Sequence, residues 1–133
     1  MLLPDSSAWI EFLRSTGSIV DGRVVAALEN AEPIGVTEPV IMEVLSGANS
    51  SKHASALRRQ LTGFEFMSVG GLAGFEKAAA IYRACRNAGE QLSGAIDCLI
   101  AVAALRAGAS VLTTDRDFAV IAKHTDLQIE PVS

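Results

Sequence analysis

Residues 93–118 read SGAIDCLIAVAALRAGASVLTTDRDF. Ile96, Leu99, Ile100, Ala103 and Ala104 recur at helical spacing, so a helix is expected over 95–107. Ser93 stands where a helix cap belongs, and Gly108 follows the end. The next apolar run, Ser110 to Thr113, has strand length, and Asp115 lies just beyond it. A helix that leads through a short turn into a strand ending near an acid is the repeating half of a parallel α/β sheet.

The same alternation extends in both directions. Strands are expected at 1–3, 34–36, 65–69 and 127–129, with Pro4 closing the first. Helices are expected at 7–14, 19–31, 38–45, 52–61, 73–88 and 117–123. Thr37 can cap the helix that carries Pro39 in its first turn, and Gly47 can end it. Ala78, Ala79, Ile81, Tyr82 and Cys85 form a second apolar stripe, read as core. With 133 residues and no linker, repeat or low-complexity segment, a single domain over 1–133 is expected. Its class is α/β with a mainly parallel sheet.

Composition narrows the function classes. No stretch approaches the roughly 18 uninterrupted apolar residues of a membrane span. The start MLLPDSSAW lacks the basic, apolar and small-residue regions of a secretory signal, so a soluble cytoplasmic protein is expected. Cys85 and Cys98 sit in apolar helical runs without zinc-type spacing and read as buried reduced thiols. His53 and His124 are isolated, and neither is assigned a role. The balance of 15 acidic to 11 basic residues, net -4, argues at first against nucleic acid. Divalent cations held by some of those acids would cancel that charge and attract phosphate.

The chemistry lies in four acids far apart in sequence: Asp5, Glu43, Asp97 and Asp115. Asp5 and Asp115 follow strands, and so emerge at the carboxyl edge where open α/β sheets bind ligands. Glu43 and Asp97 lie in the early turns of helices expected to begin at that edge. Each of these two is a lone acid in an apolar run, costly to bury without water, a cation or a metal. Carboxylates brought together repel unless a cation intervenes. An all-oxygen set without His or Cys favours Mg2+, with Mn2+ fitting on ligand type. One ion or two would serve: one to activate a water and, where a second is held about 3.5 to 4 Å away, the other to stabilise a leaving oxygen.

DSSAW at Asp5, EPVIMEVLSG at Glu43, RACRNAGEQLSGAIDCLIAVAAL around Asp97 and VLTTDRDF around Asp115 together resemble a PIN domain. Within that family they look like the VapC toxins of type II toxin-antitoxin pairs, across essentially the whole chain. The resemblance implies a three-layer α/β/α sandwich and an Mg2+-dependent endoribonuclease acting on structured RNA such as tRNA or rRNA. It also implies neutralisation by a small VapB-type antitoxin. Asp5, Glu43, Asp97 and Asp115 match the family's acidic quartet. Ser7 matches a Ser or Thr position that hydrogen-bonds a site carboxylate or a water on the metal, and Thr113 is expected to act alike. Asp117 has two readings, an outer metal ligand or the N-cap of the helix FAVIAK. Pro4 and Thr114 depart from the family pattern, at an apolar position and at one where Arg, Asn or Lys is frequent.

Arg83, Arg86 and Arg116 are the candidate RNA contacts, against the alternatives of a solvated helix face or ion pairs with Glu90 or the acids. A mean hydropathy of +0.33 suggests more apolar surface than a monomer buries, hence a homodimer, and the resemblance implies a heterotetramer or larger assembly with antitoxin. A different class, a non-catalytic PIN-like RNA- or protein-binding module, would show loss of an acid, and none of the four is lost. A phosphorelay receiver would need adjacent acids near the first strand, and a haloacid-dehalogenase phosphatase a D-x-D there. Asp5 is followed by Ser6 and Ser7.

Overall fold

The computed structural model describes residues 1–132. It contains five short strands, β1 (Leu2–Pro4), β2 (Gly35–Val36), β3 (Glu65–Phe66), β4 (Ser110–Leu112) and β5 (Gln128–Ile129). Seven helices connect them: α1 (Ser6–Leu13), α2 (Ile19–Glu29), α3 (Glu38–Ser46), α4 (Ser51–Leu61), α5 (Gly71–Asn87), α6 (Ile96–Ala107) and α7 (Asp117–Lys123). Every expected element is present, and most strands are a residue or more shorter than their apolar runs.

All strand pairs are parallel. β4 lies between β1 and β5, while β2 pairs with β3. A single bridge, Leu2 to Ile34, joins the two ladders, giving the order β3-β2-β1-β4-β5. Pro4 accounts for that thin seam. The amide of Leu2 donates to Pro33 on the β2 side, and the amide of Asp5 donates to Leu112 on the β4 side. By alternation the nitrogen of residue 4 faces β2, and a proline has no hydrogen to offer there. Pro4 therefore ends pairing toward β2 while remaining in register with Leu112.

Strand order reverses direction at β1. The crossovers β1 to β2 to β3 run one way and carry α1–α4. Those from β3 to β4 to β5 run the other way and carry α5–α7. Right-handed connections consequently place the two helix groups on opposite faces of the sheet. The packing matches: α1 packs on α2 and α3, and α3 on α4, while α5, α6 and α7 pack on one another. The result is the three-layer α/β/α sandwich, with the crevice of the switch point at the carboxyl ends of β1 and β4.

α6 is the central helix of its layer. Cys98, Ile100, Ala101, Val102, Ala103 and Ala104 are all buried, so it is apolar almost all round. Gly108, at φ 68° in the left-handed region, stops it and turns the chain into β4. In α5, Ala78, Ile81 and Cys85 are buried as the stripe required, but Ala79 is exposed. It lies one residue off the stripe, outside the arc that faces α6. Both thiols are free and buried, and burial pushes Cys98 up to about 12.

Candidate metal centre

The acids reach the crevice by two routes. Asp5 and Asp115 follow β1 and β4 directly. α3 follows β2 and so begins at the carboxyl edge. α6 precedes β4 and runs antiparallel to it, so its first turn, with Asp97, lies at the same edge. Glu43, Asp97 and Asp115 line one open cleft of about 220 Å3, together with Ser93, Gly94 and Ile96. Asp5, only 3 % exposed, is not among the lining residues and is linked to Asp115 through Thr113.

Asp97, Asp115 and Asp117 each place one carboxylate oxygen within 4.8 Å of the others, close enough for one cation to hold all three. Burial pushes the Asp97 carboxyl from 3.8 up to about 8, reinforced by hydrogen bonding to Asp115 and by the charges of Asp115, Asp5 and Asp117. Without a cation, then, Asp97 retains a proton near neutrality. The donors are all hard oxygens, which fits a hard divalent ion and no soft one.

Asp5 is held rigidly. Its Oδ1 accepts from Ser7 Oγ at 2.6 Å and from the Ala8 amide at 2.9 Å, and its Oδ2 accepts from Thr113 Oγ1 at 2.5 Å. The bond to Ala8 makes Asp5 the N-cap of α1. Burial raises its pKa, while the bonds from Ser7, Thr113 and Ala8 oppose the rise and Asp115 adds to it. Thr113 Oγ1 also accepts from the Asp115 amide at 2.8 Å, so one hydroxyl links the two strand-end acids. Ser7 Oγ in turn lies 3.1 Å from Thr114 Oγ1, which ties Thr114 into the same web.

Three local expectations need correction. Ser93 does not cap the helix of Asp97; Ala95 occupies that position without a side-chain bond. Ser93 instead donates from both its amide, at 2.9 Å, and its hydroxyl, at 2.7 Å, to Asp117 Oδ2. Asp117 is the first residue of α7 and not its N-cap, which is Arg116. The Asp117 amide donates to Asp115 Oδ1 at 2.9 Å, so Asp115 does the local capping, and the Asp117 side chain turns to the acids. Thr37 flanks α3 but makes no capping bond; its hydroxyl goes to Glu38 at 3.1 Å. Burial would raise the Glu38 carboxyl, but hydrogen bonds from backbone amides, Val69 among them, and from Ser68 and Thr37 outweigh it and hold Glu38 low.

The family pattern described as PIN domain matches residues 2–124. The chain belongs to the PIN domain family. Within it, Ribonuclease VapC11 of Mycobacterium tuberculosis is 45 % identical over 129 residues, covering 96 % of both chains. A VapC ribonuclease of Mycobacterium bovis matches to the same extent, which places this PIN domain in the VapC group. Among solved structures, VapBC2 from Rickettsia felis bound to a promoter DNA fragment contains a chain superposing with TM-score 0.74 at 16 % identity, over 97 % of this chain and 96 % of that one. A DNA-bound VapBC from Salmonella typhimurium gives 0.73 at 17 % identity, over the same shares of the two chains. At such identities the superpositions establish the shared fold alone.

One positioning residue of this PIN domain escapes sequence reading. Ser6 Oγ donates to Glu43 Oε1 at 2.5 Å across 37 residues, anchoring the acid contributed by the opposite layer. The DSS run holds the signal in retrospect: three consecutive polar residues at the start of a helix can serve different partners, with Ser7 facing Asp5 and Ser6 facing α3. Arg83, Arg86 and Arg116 are exposed, and none makes an ion pair among the described residues. Glu90, the alternative partner of the α5 arginines, bonds Lys123 and His124 instead, each at 3.0 Å. The charge of Arg116 helps hold Asp117 low, after the two bonds from Ser93.

Proposed function

We propose that this PIN domain is the toxin of a type II toxin-antitoxin pair, an Mg2+-dependent endoribonuclease that cleaves structured RNA such as tRNA or rRNA. The observation that carries the reading is the gathering of Asp97, Asp115 and Asp117 within one coordination sphere at the switch point of the sheet. The 45 % identity to proteins named VapC ribonucleases over almost the full chain supports the choice of bond and polymer. Mg2+ is the natural ion for this donor set, with Mn2+ as its substitute. When bound, such an ion supplies Lewis acidity and an activated water at neutral pH.

The chain's own residues do the remainder. Asp97, Asp115 and Asp117 would hold the ion, with Asp97 in its ionised form. Asp5, fixed by Ser7, Thr113 and the α1 amide, supplies negative charge from beside Asp115. Glu43, steadied by Ser6 on the far side of the cleft, accepts a proton from water or positions it for in-line attack. Arg83, Arg86 and Arg116, free of intramolecular ion pairs among the described residues, meet RNA phosphates.

A VapB-type antitoxin is the expected protein partner, since the fold neighbours include VapBC complexes. The complexes in those two structures are bound to DNA. No helix among the described residues is long and apolar enough to cross a membrane, in keeping with action in the cytoplasm. Inducible expression should arrest growth, co-expression of the adjacent antitoxin gene should restore it, and RNA-end mapping should show a few discrete cleavage sites. Arrest without new RNA ends would contradict the reading.

The apolar excess has a location. Leu72 is 78 % exposed and Phe75 53 %, on one face of α5 at i, i+3. Such side chains support a homodimer, joined by antitoxin into a heterotetramer or larger assembly. Light scattering of the purified chain at micromolar concentration should give twice the 13.9 kDa of one chain. A Leu72→Lys/Phe75→Lys variant should remain monomeric; a wild-type monomer would contradict the assembly.

A further inference from the structure

We infer that Ser93 is a positioning residue for the metal centre, acting through Asp117; the inference rests on the metal-binding part of the function proposed above. Two independent contacts carry it. First, the amide and hydroxyl of Ser93 converge on the same oxygen, Asp117 Oδ2, at 2.9 and 2.7 Å. That oxygen is thereby committed, while Oδ1 accepts no hydrogen bond among the described residues, and one oxygen of this carboxylate lies within 4.8 Å of oxygens of Asp97 and Asp115. Second, the segment that bears Ser93 is clasped to the opposite end of α7. Glu90 takes Lys123 Nζ on one carboxylate oxygen and His124 Nε2 on the other, each at 3.0 Å.

Residues 89–95 thus run as a strap along α7, fastened to its first residue by Ser93 and to its last turn by Glu90. Among the described residues the Asp117 carboxylate accepts from Ser93 alone, whereas Asp5 is held by Ser7, Ala8 and Thr113. A free carboxylate there would sample several rotamers, and ordering it on metal binding would cost entropy. The two donors from Ser93 remove that freedom beforehand. Ser93 also lines the cleft itself, beside Gly94 and Asp97, so the strap forms one wall of the metal centre. The arrangement is the outer-sphere support that first-sphere carboxylates need, delivered from a loop and not from the helix that carries the ligand.

The test is calorimetric titration of Mn2+ into the purified full chain, with Ser93→Ala and Ser93→Thr, and melting in chelator as the structural control. Ser93→Ala should weaken Mn2+ binding by about tenfold. Ser93→Thr, which keeps the hydroxyl, should bind within about twofold of wild type. Melting in chelator should be the same for all three, since Ser93 is exposed and caps no helix. In RNA cleavage, Ser93→Ala should need more metal for half-maximal rate and recover at saturating metal. Unchanged Mn2+ affinity in Ser93→Ala, or a loss that Ser93→Thr shares, overturns the assignment. Failure of the wild-type chain to cleave RNA would contradict the ribonuclease reading while leaving the Mn2+ titration to decide the role of Ser93.

Discussion

Asp97→Asn should lower RNA cleavage more than about 100-fold and, in the same molecule, remove the Asp97 share of the loss of metal-free stability with rising pH. The first effect follows from removing a ligand charge at the centre of the cluster, since even outer-sphere partners of metal sites are worth tenfold or more. The second follows from the proton on Asp97. Its folded-state pKa is raised, to about 8 from 3.8, so in chelator the folded chain holds a proton that the unfolded chain has released. Stability from that group is complete below about pH 4 and is lost as pH rises toward about 8. Wild type in chelator should accordingly melt lower at pH 8 than at pH 5, and Mg2+ should restore it at the higher pH. Asp97→Asn should lack the Asp97 part of the pH dependence and most of the Mg2+ effect. Thermal melts at the two pH values, with and without Mg2+, check the claim alongside the cleavage rate.

Asp5→Ala should damage the fold as well as the activity, unlike Asp97→Asn. Its carboxylate caps α1 through Ala8 and takes both hydroxyls of Ser7 and Thr113. Loss of a helix cap costs about 1 kcal/mol. Leaving partly buried hydroxyls without acceptors adds roughly 1 to 3 kcal/mol. A fall in melting temperature on the order of 10 °C is the expected sum. Asp5→Asn should recover much of it, because its amide oxygen can still cap Ala8 and the rotatable Thr113 hydroxyl can turn to accept from the amide nitrogen. Its cleavage should nonetheless stay low, since the charge is gone. Equal melting temperatures for wild type and Asp5→Ala would show that Asp5 is no structural element.

These contrasts bear on how much of the protein is legible in its sequence. Helices were readable because α1 to α7 bury an apolar stripe at 3.6-residue spacing, and α6 does so almost all round. β2 to β5 are shorter than their apolar runs, while β1 runs through Pro4, which withholds its donor from β2 and leaves one bridge between the ladders. The convergence of Asp5, Glu43, Asp97 and Asp115 on one edge follows from topology, since a strand end and the start of a helix preceding or following a strand all lie there. Which polar side chain serves which acid was harder to read. Ser93 looks like a cap by its spacing to Asp97, yet its partner is Asp117, 24 residues on. Ser6 finds Glu43 across 37 residues. Such pairings depend on tertiary proximity and rotamer choice, to which local spacing is blind. The reading as a ribonuclease rests on family resemblance and not on the geometry of the acids, which is compatible with a divalent ion and names no polymer.

The central claim, that the acids at the switch point hold a divalent ion used to cut RNA, meets its most direct test in one assay. Purified wild type and Asp97→Asn are incubated with total RNA in Mg2+ or in excess chelator, and the new RNA ends are mapped. Discrete ends should arise from wild type in Mg2+ and from no other combination. The same ends produced by wild type in chelator, or by Asp97→Asn at the wild-type rate, would contradict the account.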